Sequence, residues 1–263
     1  MAGKTYVGIG GWTYEPWRDN FYPKGLAQAR ELEFASRAVT AIEINGTYYG
    51  SQKPESFAKW AETVPDGFIF SVKASRFATN RKKLGDGAES VAKFLNQGIT
   101  RLGDRLGPIL WQFMATKQFD AEDFEAFLKL LPPELDGLKL RHALEVRHKS
   151  FVCPEFVDLA RRYGAAIVFA DHAKYPMIAD LTADFVYARL QDAAADIPTG
   201  YDAPALDRWA EVVKAWRKGE DPADLPHADK KSAEKHDRDV FLFMINGAKE
   251  RAPAAAKALI ERV

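Results

Sequence analysis

The chain has 263 residues, of which 47% are apolar and 28% are charged. Basic and acidic residues each number 37, so the formal charge is zero, which argues against a protein that holds nucleic acid by bulk charge. The composition excludes wholesale disorder, and no apolar run approaches the roughly 20 residues of a membrane helix. The single cysteine, Cys153, excludes an intrachain disulfide. The first residues lack the apolar core of a signal peptide, so we expect a cytoplasmic protein.

Short runs of apolar, β-branched or aromatic residues recur along the chain, each about as long as a strand. The eight runs are Tyr6–Trp12, Ala41–Asn45, Phe68–Ser75, Pro108–Phe113, Ala143–His148, Ala165–Asp171, Phe185–Leu190 and Val240–Asn246. Helical patterns fill most of the gaps: Leu26–Val39, Pro54–Glu62, Glu89–Leu102, Asp120–Leu131, Pro154–Tyr163, Ala203–Trp216 and Pro253–Arg262. The gap between the sixth and seventh runs leaves little room for a helix, so we expect a short or irregular connection there.

Eight strands alternating with helices predict an α/β fold, a single (β/α)8 TIM-type barrel over residues 1–263. The alternative is a doubly wound sheet that binds a dinucleotide. We favour the barrel, because the glycine-rich run at 8–13 does not complete the GxGxxG fingerprint and no acidic ribose-binding residue follows at the right distance. Residues 217–239, dense in charges of both signs, are predicted to form an exposed loop before the last strand.

Alternation of side chains across each strand predicts a polar layer inside the barrel, near the C-terminal strand ends. Barrel interiors are ordinarily filled by branched apolar residues, and buried charges are costly unless they are paired. We therefore interpret the layer as a ligand site; the alternative is a salt-bridge network that only closes the barrel. The layer contains three acids, three bases and three polar residues: Glu43, Glu145 and Asp171; Lys73, Arg147 and Arg189; Asn45, Gln112 and Tyr187.

The leading hypothesis is an enzyme that acts on a small anionic or sugar-like molecule without a cofactor. Glu43 and Glu145 are predicted to share general acid and base catalysis, because carboxylates with unequal neighbours differ in pKa. This chemistry suits a hydrolase, a lyase or an isomerase. The three bases are predicted to bind a carboxylate or phosphate group. The other predicted binding residues orient or cover the ligand: Asn45, Gln112, Tyr187, Trp12 and Tyr14.

Two further hypotheses stay open. One is a metal-dependent phosphodiesterase or nuclease-like barrel, with a divalent metal held by Glu43, Glu145, Asp171 and His172. No HxxxH or HxH spacing supports that set. The other is a binding module that transforms nothing. Nucleic acid is a less favoured partner, although a basic loop follows the third strand, and we expect no membrane partner; the oligomeric state stays open.

Several motifs together resemble the YecE-like family, catalogued as domain of unknown function 72. The motifs are Gly8-Ile9-Gly10-Gly11-Trp12-Thr13-Tyr14, Glu43-Ile44-Asn45-Gly46-Thr47-Tyr48-Tyr49, Lys73-Ala74, Glu145-Val146-Arg147-His148 and Tyr187-Ala188-Arg189-Leu190. The resemblance covers nearly the whole chain and implies a TIM-type barrel, but it supplies no reaction. Family members usually carry histidines where this chain has Asn80 and Gln191. A chemistry that used those two histidines would be altered or lost here.

Overall fold

A closed barrel of eight parallel strands forms the centre of the computed structural model, which describes residues 3–263. The described residues form ten strands, eight of which belong to the barrel. They are β1 Thr5–Gly10, β2 Ala41–Ile44, β3 Ile69–Lys73, β4 Leu106–Gln112, β5 Glu134–Leu135, β6 Leu138–Lys139, β7 His142–Glu145, β8 Ala166–Asp171, β9 Phe185–Leu190 and β10 Asp239–Met244. Strands β5 and β6 form a separate antiparallel hairpin that the sequence did not predict. The others follow one another in the order β1-β10-β9-β8-β7-β4-β3-β2, and β1 closes the ring by pairing with both β10 and β2. The predicted barrel is confirmed.

Helices occupy most of the connections between barrel strands. They are α1 Glu31–Ala38, α2 Pro54–Thr63, α3 Arg76–Thr79, α4 Ala88–Leu95, α5 Ala121–Leu128, α6 Pro154–Arg162, α7 Ala203–Arg217 and α8 Ala252–Ile260. Aspartate caps fix two of the starts: Asp120 accepts a hydrogen bond from the Asp123 N–H at 3.0 Å, and Asp202 accepts one from the Ala205 N–H at 2.9 Å. The connection from β8 to β9 contains no helix, as predicted.

One predicted helix, Glu89–Leu102, is two elements. Helix α4 ends at Leu95, and a 3-10 helix follows at Ile99–Arg105. The break falls at Gly98, whose φ of 103° lies in the region that residues with a Cβ avoid. A Cβ at this position would also lie 2.7 Å from the Cα of Pro54. Glycine therefore permits the chain to reverse close to the start of α2.

The strand alternation holds for most of the barrel and is wrong for β8. The small inner core contains Ala41, Ile69, Leu110, Ala143 and Tyr187, which agrees with the predicted inward faces of β2, β3, β4, β7 and β9. In β8, Val168 lies in this inner core and pairs with Tyr187, while Ile167 and Phe169 pack in the outer core. Apart from its last residue, Asp171, β8 is apolar on both faces, as parallel barrel strands commonly are, so a single terminal residue was the only indication of its orientation.

Between the end of α7 and the start of β10, residues 218–238 form no strand or helix, and much of the segment is exposed. The predicted segment 217–239 includes the last residue of α7 and the first residue of β10. Two side-chain contacts anchor the segment to the β8–β9 connection. The Asp180 carboxylate accepts hydrogen bonds from the N–H groups of Ala228 and Asp229, at 2.7 and 3.1 Å. The Arg238 side chain is buried and donates to the Ala183 carbonyl at 2.9 Å.

Within residues 3–263, no helix combines the length and the apolar character required to cross a bilayer.

The closure of the barrel between β1 and β2 leaves no room for a side chain at Gly8. A Cβ there would lie 2.2 Å from the Ala41 carbonyl oxygen, which belongs to the backbone and has little freedom to move. We expect Gly8→Ala to lower the free energy of unfolding by about 1–3 kcal/mol or more, as overpacking does in cores. Chemical denaturation followed by circular dichroism measures this change.

Gly50→Ala is the matched control, because a Cβ at Gly50 meets no atom within 4 Å. Its free energy of unfolding should stay within about 0.5 kcal/mol of the parent value. Equal effects of the two substitutions would contradict the packing argument.

Candidate functional site

The guanidinium of Arg189, on β9, joins two carboxylates inside the barrel. Its Nε and Nη2 donate to the two oxygens of Glu43 at 3.1 and 3.0 Å, and its Nη1 donates to Glu145 Oε2 at 2.5 Å. Both glutamates are fully buried, and Arg189 is only 2% exposed. Since unpaired charges are costly in such a position, this three-residue bridge satisfies the charges that the fold buries.

The Glu43 carboxylate accepts a further hydrogen bond from a side chain of β9. The Tyr187 hydroxyl donates to Glu43 Oε2 at 2.7 Å, and Ser71 Oγ lies 2.7 Å from the same hydroxyl. Burial, reinforced by the Glu43 charge, raises the pKa of Tyr187 well above its usual value. Tyr187 therefore remains a neutral donor in the physiological range.

The Glu145 carboxylate is surrounded by donors. Arg147 donates to Oε1 through Nε at 2.9 Å and approaches it with Nη2 at 2.8 Å, and Gln112 Nε2 donates to Oε2 at 2.8 Å. Burial alone would raise the pKa of Glu145, but the charges of Arg189 and Arg147 outweigh burial and hold this pKa at about 2. Glu145 is thus an anion at neutral pH, and both of its oxygens accept hydrogen bonds from neighbouring side chains.

Lys73, the last residue of β3, differs from the arginines because it pairs with no carboxylate in the described part of the chain. Its side chain is buried, and Nζ lies 4.3 Å from the centre of the Tyr48 ring. Burial and the charge of Arg189 lower the pKa of Lys73 to about 8, against the opposing effect of the two glutamates.

A cavity of about 600 Å³ opens above this layer. Four of the side chains that line it carry positive charge: Lys73, Arg147, Arg189 and Lys249. None of the lining residues in the described chain is an aspartate or a glutamate, because the carboxylates of Glu43 and Glu145 lie behind the cations. The surface that faces the cavity is therefore cationic although the whole protein is neutral.

Aromatic and amide groups complete the cavity wall. Trp12 and Trp60 pack edge to face, with ring centres 5.2 Å apart. Lys249 Nζ lies over the Tyr14 ring at 4.3 Å and is half-buried; burial lowers the pKa of this lysine. Asn246 lines the rim with a φ of 60°, an uncommon value for a residue with a side chain. The cavity thus offers flat apolar walls beside cationic groups.

Most of the predicted binding residues meet at the cavity. Tyr14 lies beneath Lys249 instead, and Tyr187 lies beneath Glu43, so neither contributes to the lining. The six that line it are Trp12, Asn45, Lys73, Gln112, Arg147 and Arg189.

Among the lining residues that sequence reasoning missed are Lys249, Trp60 and Gln52. Lys249 follows the last strand, where loops of a barrel contribute to active sites, and this position was the available signal. Trp60 is on α2 and Gln52 precedes that helix, so no strand alternation pointed to them.

Asp171 and His172 do not join the polar layer, which corrects the predicted inward orientation of Asp171. Because β8 has the opposite orientation, Asp171 leaves the inner face; burial and the neighbouring Asp192 raise the pKa of Asp171 to about 6. His172 stacks on Tyr175 with ring centres 4.4 Å apart. In the part of the chain that the structure describes, no three histidine, cysteine, aspartate or glutamate side chains gather as a metal site would require. The geometry therefore does not support the predicted set of metal ligands, Glu43, Glu145, Asp171 and His172.

A family model described as "Protein of unknown function DUF72" matches residues 6–263. The chain belongs to this family. Two curated relatives are the UPF0759 protein YunF of Bacillus subtilis (strain 168), 25% identical over 158 residues, and the UPF0759 protein YecE of Escherichia coli (strain K12), 29% identical over 149 residues. The matches cover 58% and 56% of this chain, and 54% and 49% of the relatives. The DUF72 chain thus spans about half the length of the curated relatives it matches.

Solved structures share the fold. A DUF72 family protein from Thermotoga maritima MSB8 superposes with a TM-score of 0.73 at 22% identity, with 98% of each chain covered. A DUF72 family protein from Enterococcus faecalis V583 gives 0.68 at 16% identity, covering 98% of this chain and 97% of that one. SacUVDE gives 0.54 at 10% identity over the full length of both chains. At these identities the likeness extends to the barrel and not to the chemistry.

Removal of the Arg189 charge should destabilise the protein strongly. Arg189→Met leaves Glu43 and Glu145 buried without their shared counter-charge, and we expect a loss of about 3–5 kcal/mol in the free energy of unfolding at pH 7. Urea denaturation measures the loss. The control is Arg162→Met, which breaks an exposed pair with Glu125 and should cost no more than about 1 kcal/mol. Similar losses in the two variants would contradict the bridging role.

Acid should weaken the parent protein through Glu145. The folded-state pKa of about 2 lies below the unfolded value of about 4.3, so the stability from this carboxylate is complete above pH 4.3 and is lost as the pH falls towards 2. Arg189→Met should show a smaller acid-dependent loss, because the largest charge that lowers this pKa is gone. Denaturation curves collected between pH 5 and pH 2.5 test the difference. Parallel pH profiles for the two proteins would exclude this assignment.

Proposed function

We propose that the cavity at the C-terminal end of the barrel binds a small organic anion, a carboxylate or a phosphate ester, and acts on it as an enzyme. The observation that supports this proposal most is the charge of the cavity wall. Four cationic side chains line the cavity, and the described lining residues include no carboxylate. Active sites of barrels of this kind lie at this end.

Charge balance within the layer supports an anion as the ligand. Arg189 and Arg147 neutralise Glu43 and Glu145, since each arginine bonds directly to a buried carboxylate. Lys73 and Lys249 have no such partner among the described residues, so their charges have no direct counter-charge. A concave wall of low dielectric strengthens the field of uncompensated charges and attracts an oppositely charged solute.

Two groups are placed to hold the anionic part of such a ligand. Arg147 uses Nε and Nη2 for Glu145 and rests on the Tyr175 ring, 4.6 Å from its centre, which leaves Nη1 for the cavity. Lys73 supplies an ammonium on the same surface. Trp12 and Trp60 would contact a planar or apolar portion of the same molecule.

Glu43 and Glu145 have a different place in the proposal from the one that the sequence suggested. Glu43 accepts from two residues and Glu145 from three, and neither lines the cavity. Glu145, with its pKa held at about 2, is also a weak general base at neutral pH. We assign both glutamates the role of positioning residues, which fix the guanidinium groups of Arg189 and Arg147.

Binding of inorganic phosphate tests the proposal. We expect Lys73→Met and Arg147→Met each to weaken binding by about ten- to a hundredfold, because each removes a charged hydrogen bond worth about 1.5–3 kcal/mol. Isothermal titration calorimetry at low ionic strength gives the dissociation constants, and acetate replaces phosphate in a second series.

Lys139→Met is the matched control, since Lys139 is exposed, pairs with Asp184 and lies outside the cavity. Its affinity for phosphate should equal that of the parent. Failure of both anions to bind the parent protein, or equal affinities in all three variants, would overturn the proposal.

A further inference from the structure

We propose that Lys73 is a nucleophile that forms a Schiff base with a carbonyl compound bearing an anionic group, such as a 2-oxo acid or a keto phosphate. The inference rests on the proposed function, because the anionic group must first be held in the cavity. It adds a covalent step and a substrate class to that site.

The position of Lys73 is the first support. The residue ends β3 and is one of the residues that line the cavity, where a bound molecule would lie. The charged groups that influence it lie on or just after other barrel strands: Glu43 on β2, Arg189 on β9, Glu145 at the end of β7 and Arg147 just after β7. The two glutamates already bond to the two arginines, so neither holds the lysine ammonium in an ion pair.

Other lysines of the described chain lack this combination. Lys249 also lines the cavity without a carboxylate partner, but it is only half-buried, and no neighbouring cation adds to the effect of burial on its pKa. Lys117 and Lys139 pair with Asp123 and Asp184, each at 2.6 Å. A paired ammonium is stabilised in its protonated form and is a poor nucleophile. Lys73 is both buried and unpaired within the described chain, and its surroundings favour the neutral amine.

The acidity of Lys73 agrees with this geometry. With its pKa lowered to about 8, about a tenth of the Lys73 side chains carry a neutral amine at pH 7, against about one in 2,500 for an ordinary lysine with a pKa near 10.4. Desolvation in an apolar pocket and a neighbouring cation are the two means by which proteins activate a lysine for attack on carbonyls.

The chemical step balances without an oxidant or a reductant. The lone pair of Nζ forms a bond to the carbonyl carbon while the π electrons move to oxygen, and a proton passes from nitrogen to that oxygen. A proton from the solvent converts the hydroxyl group of the resulting carbinolamine into water, which leaves with the C–O bonding electrons as the nitrogen lone pair forms the C=N bond of the protonated imine. Arg147 holds the anionic group of the substrate, and the Tyr48 ring beneath Nζ stabilises the positive charge of the protonated imine.

Reductive trapping tests the inference. The protein is incubated with pyruvate, or with dihydroxyacetone phosphate, in the presence of sodium borohydride, which converts an imine into a stable secondary amine. We expect intact-mass analysis to show one adduct, and peptide mapping to place it on Lys73 with at least tenfold preference over any other lysine. The rate of trapping should rise with pH through a midpoint of about 8. The probe that reacts faster identifies the anionic group, carboxylate or phosphate.

Phosphate binding and trapping are measured side by side on the parent protein, which separates this inference from the proposed function. Lys73→Arg should lose the adduct, because a guanidinium does not form an imine under these conditions. Lys139→Arg should keep both phosphate binding and the adduct. In the parent protein, inorganic phosphate should also slow the trapping, a measurement that does not depend on the folding of any variant.

Two results would overturn the inference. One is the absence of an adduct with both probes although phosphate binds, which would leave the anion site intact and remove only the covalent step. The other is an adduct spread evenly over lysines, or one that persists in Lys73→Arg. Absence of both phosphate binding and trapping would remove the proposed function together with the inference.

Discussion

The bridge from Arg189 to Glu43 and Glu145 is the interaction on which the site depends. It spans β9, β2 and β7, three strands that are not neighbours in the barrel, and so it crosses the interior instead of following the ring. A buried ion pair contributes little net stability compared with apolar packing, but the loss of one partner is severe because the other charge stays buried. The bridge thus acts as a geometric constraint: once the barrel closes, the guanidinium can lie in few places, and Glu145 in turn fixes Arg147.

This constraint divides the interior of the barrel into layers with different roles. The lower layer is small and apolar, and it includes Ala41, Leu110 and Ala143. Above it, the acids and the arginines satisfy one another, so their charges nearly cancel. The surface that meets the cavity then takes its sign from the groups left over, Lys73 and Lys249. A cationic cavity surface arises above an almost neutral layer, and for this reason the net charge of the chain gave no indication of it.

Sequence patterns predicted the fold well for most strands in which a polar residue marked one face. Glu43, Lys73, Glu145 and Arg189 marked the inner faces of their strands, and the structure brings all four together. The same reasoning failed for β8, where the terminal Asp171 is the only polar residue of a strand otherwise apolar on both faces, and it therefore placed Asp171 in the wrong layer. The same reasoning did not find Lys249, because this residue follows the last strand and belongs to no strand pattern. Which donors each glutamate bonds to depends on distances across the barrel. No local sequence pattern predicts those distances.

The opposing effects of neighbouring groups on the pKa of Lys73 bear on which ligands suit the proposed site. Glu43 and Glu145 favour the ammonium, Arg189 and Arg147 disfavour it, and burial adds to the effect of the arginines. Because the paired charges largely offset one another, desolvation by the cavity wall becomes the dominant influence on this amine. An anion placed directly against Nζ would restore the ammonium and suppress its reactivity. Under the proposed reaction, a substrate that directs its anionic group to Arg147 and its carbonyl carbon to Lys73 would avoid this loss. We therefore expect the separation between those two groups within a molecule to decide which substrates react.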